Sequence, residues 1–161
     1  CVAASGRFVA ASSTSSRTVK LFDGASLEVC GACSGGAGAT RCIAVSESRM
    51  VSGGDDNAAR IFELSDYPHI LGTQVLRIFS VVPRPGEGIS AVCMQGEMVV
   101  TGSGDCVVRL WSAESGVCLR ELHGHTERID FVCLRGGLLV SAVRYQDAGS
   151  RSLGAKLTPI R

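Results

Sequence analysis

The sequence has no surplus of charge and no long apolar run, and each absence removes a class of protein. Sixteen Lys and Arg stand against fifteen Asp and Glu in 161 residues, a formal net charge of +1. That balance supplies neither the basic stripe of a nucleic-acid binder nor a polybasic membrane patch. No apolar stretch approaches the ~20 residues that cross a bilayer as a helix. The opening CVAASGRFVAASS lacks the basic-then-apolar layout of a secretory signal. It also lacks an initiator Met, which reads as a piece cut from a longer protein.

What is present is globular. The chain is 45% hydrophobic with a mean hydropathy of +0.25, and it is long enough for one domain with a real core. Its eight cysteines invite a disulfide or metal reading. Yet Cys42, Cys93, Cys106, Cys118 and Cys133 fall inside or beside strand candidates, where a small buried hydrophobe serves. Without a secretory signal, reduced thiols and a cytoplasmic or nuclear location are the expectation.

The most informative stretch is MVVTGSGDCVVRLWSAESGVCLRELHGH, Met98 to His125. Two short apolar strands, 98–102 and 107–111, flank the turn Ser103-Gly104-Asp105-Cys106. A second turn at 112–116 leads to a third strand at 118–122 and then to Gly124-His125. Strands this short, punctuated by Gly, Ser and Asp, signal an antiparallel meander. This order of elements resembles a repeat of the WD-repeat (tryptophan–aspartate repeat) β-propeller family, with Ser112 in place of the namesake Asp.

The pattern recurs. Aligning Phe22, Phe62 and Trp111 gives spacings of 40 and 49 residues, against the propeller period of ~40–45. The longer interval predicts an insertion in or near Ser65–Gly88. Six residues before the aromatic stand Asp56 and Asp105, ten before it Ser52 and Thr101, and two before it Lys20, Arg60 and Arg109. In the first copy Phe8-Val9 is matched to Met50-Val51. Further strand candidates lie at Thr40–Val45, Ile89–Met94, Ile129–Leu134 and Leu138–Ala142.

The expectation is therefore an all-β partial β-propeller at residues 1–142. It comprises about three four-stranded antiparallel blades (about 1–34, 39–82 and 89–123) and half of a fourth (129–142). Residues 143–161, with no Leu-Trp strand, read as an irregular or disordered tail.

The resemblance also implies roles. In the family, the Gly-His histidine, the turn Asp, a Ser/Thr and the strand aromatic form one hydrogen-bonded network. Here Thr101, Asp105 and Trp111 match it in one copy, Ser52, Asp56 and Phe62 in another, and Gly124, His125 and Ser141 in the last; none is complete. Phe cannot donate as a Trp indole does, so apolar packing should carry more of the fold. The rim where loops and Asp turns emerge is the expected partner-binding surface, with Arg41, Asp55, Asn57, Glu87, Cys106, Glu127 and Arg128 as candidates.

Other chemistry is weaker. His123-Gly124-His125 reads as a blade-joining loop before half of a metal site. Cys30-Gly31-Ala32-Cys33 has redox and zinc spacing but neither a βαβ context nor a second ligand pair. Gly35–Thr40 lacks the Gly-Lys-Ser/Thr ending of a phosphate cradle, and no Gly-x-Ser-x-Gly elbow is present. No metal, cofactor or catalysis is expected.

Function is then that of a protein–protein interaction scaffold, a substrate-recognition or adaptor subunit of a larger complex such as a ubiquitin ligase. The short turns in AVCMQGEMVVTGSGD and FVCLRGGLLVSA resemble those of F-box/WD-repeat proteins. Two alternatives stand beside it: a thiol or zinc protein using Cys30 and Cys33, and a propeller appended to an enzyme such as a kinase. Partners are other proteins or peptide motifs rather than nucleic acid or membrane. Three and a half blades cannot close a ring, so the isolated chain is expected to self-associate.

Overall fold

The computed structural model describes residues 1–13, 15, 17–34, 36–64, 70–71, 75–80, 87–147 and 150–160. Every regular element among them is a β-strand, and the strands form four sheets. Sheet 1 contains β1 (Val2–Ala4), β2 (Phe8–Ala11), β3 (Thr18–Asp23) and β4 (Val29–Ser34). Sheet 2 contains β5 (Thr40–Val45), β6 (Arg49–Gly54) and β7 (Ala58–Glu63). The chain then leaves the meander: β8 (Ile70–Leu71) pairs in parallel with the outer edge of β4, at Gly31 and Ala32. It returns as β9 (Val75–Ser80), the outermost strand of sheet 2.

Sheet 3 is β10 (Ile89–Gln95), β11 (Met98–Ser103), β12 (Val108–Ser112) and β13 (Cys118–Leu122); sheet 4 is β14 (Ile129–Arg135), β15 (Leu138–Asp147) and β16 (Ser150–Pro159). Apart from the β4–β8 pair, every strand pair is antiparallel. Strands β1, β5, β10 and β14 lie innermost, and these carry the packing of each sheet on the next.

Strand alternation assigns each residue to one of two faces, and here both faces are apolar. On β6, Met50 packs back onto sheet 1 while Val51 packs forward onto sheet 3. On β11, Val99 packs back onto sheet 2 and Val100 forward onto sheet 4. A central strand covered on both sides needs a continuous apolar run, which is what these pairs supply. The layer between sheets 1 and 2 holds Phe8, Leu21, Met50 and Phe62; that between 2 and 3 holds Ile61, Ile89 and Trp111; that between 3 and 4 holds Leu110, Ile129 and Leu139.

Two expectations need correction. The expected irregular tail, 143–161, is strand at residues 143–147 and 150–159: β15 continues to Asp147 and pairs along its length with β16, from Leu138↔Pro159 to Asp147↔Ser150. The fourth sheet thus has three strands rather than two. Leu139 pairs with Thr158 as Val99 pairs with Trp111, so Lys156-Leu157-Thr158 occupies the register of Arg109-Leu110-Trp111. A Thr in the aromatic position and a longer hairpin hid that strand. In sheet 1, Val9 pairs with Phe22 as Met50 pairs with Phe62. Phe8 therefore corresponds to Arg49, one residue away from the alignment expected.

The stack is an open arc. Among the described residues, the strands in strong contact belong to the same or consecutive sheets. At the two ends, Val2 on sheet 1 is 71% exposed and Leu157 on sheet 4 is 67% exposed.

Candidate functional site

The rim is built on two Asp turns. After Asp56 and Asp105 the chain enters the left-handed region, at Asn57 (φ 59°) and Cys106 (φ 67°). Asn takes this conformation readily and Cys does not. The bend turns each carboxylate onto the amide two residues on: Ala58 N–H donates to Asp56 at 3.3 Å and Val107 N–H to Asp105 at 3.1 Å. This is an Asx-type turn.

An arginine, not a histidine, completes each turn. Arg60 reaches Asp56 at 2.7 Å and Arg109 reaches Asp105 at 2.8 Å, both pairs largely buried. Arg109 also donates to Glu121 at 2.7 Å and to Ser103 Oγ at 3.2 Å, and Ser103 Oγ–H itself donates to Asp105. Burial pushes the Asp56 carboxyl up, but the Arg60 hydrogen bond and charge, with the Ala37 and Ala58 amides, hold its pKa below the usual 3.8. Asp105 behaves alike: burial raises it, and Ser103, Arg109 and the Val107 amide bring it below 3.8. The glycine-rich loop before β5 makes room for this arrangement. A Cβ on Gly36 (φ +105°) would collide with the Arg60 guanidinium and the Asp56 carboxylate.

The remainder of the network is divided between sheets. In sheet 3, Trp111 Nε1–H donates to buried Thr101 Oγ1 at 2.9 Å. In sheet 4, His125 Nε2 and Ser141 Oγ share a 2.8 Å hydrogen bond. With no turn Asp in register there, Lys156 donates to the Gly124 carbonyl instead, and a Cβ on Gly124 (φ +112°) would meet its ammonium at 2.8 Å. Burial, and then the Lys156 charge, lower the His125 pKa from 6.5. In sheet 2, Phe62 offers no donor, and the buried Ser52 hydroxyl has no hydrogen-bond partner among the described residues.

The rim candidates differ in what they can offer. Arg41 and Asp55 satisfy one another through two hydrogen bonds of 2.7 and 2.8 Å. Asn57 and Cys106 shape the turns. Glu87 lies half-buried under the Asp105 turn, its carbonyl accepting from Gly104 N–H at 2.9 Å and its Oε2 buried without a hydrogen-bond partner among the described residues. Glu127 and Arg128 are exposed, and with Asp130 and Arg144 they line a cleft of about 440 Å³. Arg128 and Arg144, each with a side chain 61% exposed, stand 3.7 Å from the single carboxylate of Asp130.

Sequence reasoning noticed Arg60 and Arg109 in register but gave them no role, and it missed Asp130 and Arg144. A basic residue two before each aromatic was the available signal for the first pair. Arg144 lay in the stretch read as tail.

The other motifs acquire ordinary places. His123 is 68% exposed beside Glu121 at 3.5 Å, while His125 turns toward Ser141, so the two imidazoles diverge. Among the described residues no three His, Cys, Asp or Glu side chains cluster as metal ligands would. Cys33 is a core residue of the layer between sheets 1 and 2, and Cys30 packs against the same layer at a β4 bulge. Burial raises the Cys30 thiol, which opposes the thiolate that redox or zinc chemistry needs. The loop Gly36–Ala39 rests on Asp56, an anion, and so cannot cradle a phosphate; Gly35 lies outside the described residues.

Four antiparallel sheets stacked face to face in an arc, each a meander around a common inner strand position, define a partial β-propeller. Residues 80–112 match the family model described as WD domain, G-beta repeat. That match spans β10 to β12 of sheet 3, the copy with the Thr101–Trp111 bond. Among solved structures, the chain resembles the computationally designed Ika4 protein at TM-score 0.73 and 18% identity, over 99% of this chain and 89% of that one. It resembles the computationally designed Ika8 protein at TM-score 0.73 and 19% identity, over 94% of this chain but 44% of that one. At these identities the likeness concerns fold alone. No curated protein matches the sequence. WD repeats generally mediate protein–protein interaction.

Proposed function

We propose that the chain is a non-catalytic protein-interaction scaffold that receives an acidic peptide motif at the Arg128–Arg144 cleft. The observation that carries this reading is the unequal pairing at the rim. Arg41 is matched one-to-one by Asp55, whereas two exposed arginines divide Asp130 between them at 3.7 Å. A guanidinium pairs best with a carboxylate through two short parallel hydrogen bonds. Arg128 and Arg144 therefore retain donors that a partner carboxylate can take.

In finer terms, the scaffold serves as a substrate-recognition or adaptor subunit of a larger complex such as a ubiquitin ligase, acting in the cytosol or nucleus. The tight turns at Gly96-Glu97 and Gly136-Gly137, which keep the inner strands closely connected, support the resemblance to F-box/WD-repeat proteins. Cysteines such as Cys42 and Cys93 serve as small hydrophobes of the apolar layers, which suits a reducing compartment.

The test is affinity capture with the full-length protein carrying Arg128→Glu and Arg144→Glu, with Arg41→Glu as comparison. The double reversal should cost a defined set of partners at least tenfold in recovery, and Arg41→Glu should cost less. A cullin scaffold should co-purify with all three proteins, since it does not use this cleft. Equal partner sets from all three would sink the cleft assignment, and a cullin-free capture would sink the ligase reading.

A further inference from the structure

The two ends of the arc carry faces that, at the equivalent positions of the interior sheets, are buried. On sheet 4 the face directed away from sheet 3 bears Phe131, Cys133, Val140, Ala155 and Leu157. Their register partners set the equivalences: Val140↔Leu157 matches Val100↔Leu110 and Val51↔Ile61. Leu110 and Ile61 are 2% and 1% exposed, yet Leu157 is 67% exposed and Phe131 52%.

Sheet 1 shows the converse on the face directed away from sheet 2. Val9 and Phe22 stand where Met50 and Phe62 do, and Val29 pairs with Phe22 as Cys118 pairs with Trp111. Met50 and Phe62 are fully buried against the preceding sheet, whereas Val2 is 71% and Val29 61% exposed. One chain thus presents, at opposite ends, the two halves of the joint that it builds three times internally.

We infer that a second copy of this chain covers both faces, so that two arcs close head to tail into a ring of eight sheets. Three observations commit the faces to this occupant. The two faces are complementary by the chain's own repeat, sheet 4 offering what sheets 1 to 3 offer forward and sheet 1 what sheets 2 to 4 present backward. The arc superposes equally well on 89% of the Ika4 chain and on 44% of the Ika8 chain, so its curvature also fits half of a structure about twice as long. Eight sheets lie within the range of four to eight blades that such rings adopt. A head-to-tail contact that closes gives a discrete assembly rather than a filament. The inference rests on the fold and is independent of the rim cleft.

Size-exclusion chromatography with light scattering on the 161-residue chain tests it. The expected result is one species of twice 16.8 kDa, persisting on dilution into the low-micromolar range. A monomer would overturn the inference and assign the faces to another occupant, such as additional sheets of a longer chain. A continuous ladder of sizes would overturn closure. Two exposed-site variants guard against misfolding as an explanation. Leu157→Glu disables only the sheet 4 face and Val29→Glu only the sheet 1 face, so each alone should run as a folded monomer by circular dichroism. Mixed in equal amounts, they retain one intact joint between them and should form a heterodimer. Failure of the folded variants to pair when mixed would overturn the head-to-tail geometry.

Discussion

Sheets 2 and 3 have the same strand order, the same Asp turn and the same arginine on that turn, but they differ in the hydrogen bond at the aromatic position. Thr101 accepts from the Trp111 indole, and Ser52, with Phe62 at the equivalent position, has no hydrogen-bond partner among the described residues. Both sheets are nonetheless packed on two sides with side chains that are almost fully buried. The blade therefore depends first on apolar layers and the turn ion pair, and the aromatic–hydroxyl bond is an addition to them. That ordering follows from magnitudes. A buried aromatic contributes several kcal/mol, whereas a typical net hydrogen bond contributes about 1 kcal/mol.

The largest break in the comparison should come from the turn both sheets share. Arg109→Ala leaves Asp105 buried without its cation and removes one partner of Glu121. It should destabilise the chain by about 3 kcal/mol, the cost of stranding a buried charge, read from urea unfolding at fixed protein concentration. A crossed pair of substitutions sharpens the comparison with smaller, opposite effects. Trp111→Phe turns sheet 3 into a copy of sheet 2, orphans Thr101 and should cost about 1–3 kcal/mol. Ser52→Ala removes a hydroxyl that is already orphaned and should be neutral or stabilising by up to about 1 kcal/mol. Two losses of similar size would mean that Ser52 has a partner after all.

The smallest effect involves sheet 4. Because the folded pKa of His125 lies below 6.5, the unfolded chain takes up the proton first. Its contribution is complete above pH 6.5 and declines as pH falls through the folded value. Melting temperature should drop slightly between about pH 7.5 and 5.5, and His125→Gln should flatten that slope. The Asp56 and Asp105 contributions lie lower, present above pH 3.8 and lost as pH falls beneath it.

What was legible in the sequence tracks these same differences. Sheets 2 and 3 announced themselves because an aromatic, a turn Asp and a Ser/Thr sit at fixed offsets, and those offsets are imposed by the pairing register. Sheet 4 lost its third strand in the reading because Thr158 replaces the aromatic and the β15–β16 pairing runs on as far as Asp147↔Ser150. Sheet 1 slipped by one residue because β2 offers Phe8 next to Val9, and composition alone cannot say which faces which neighbour. The arginines of the Asp turns were visible by position, but the place of Arg60 also depends on Gly36, in the loop before β5. The cleft at Arg128 and Arg144 required the continuation of β15 past Ala142.

The short parallel pairing of Ile70-Leu71 with Gly31-Ala32 also affects how the arc comes apart. It binds a segment that belongs to sheet 2 by sequence onto the outer edge of sheet 1, fastening the pair at the periphery as well as at the axis. Under load or thermal fluctuation, sheets 1 and 2 should open together as one cooperative unit, while sheet 4, which among the described residues has no such strand pairing to its neighbour, frays first. Slow amide exchange should accordingly extend across the first two sheets to β4, and fade along β16.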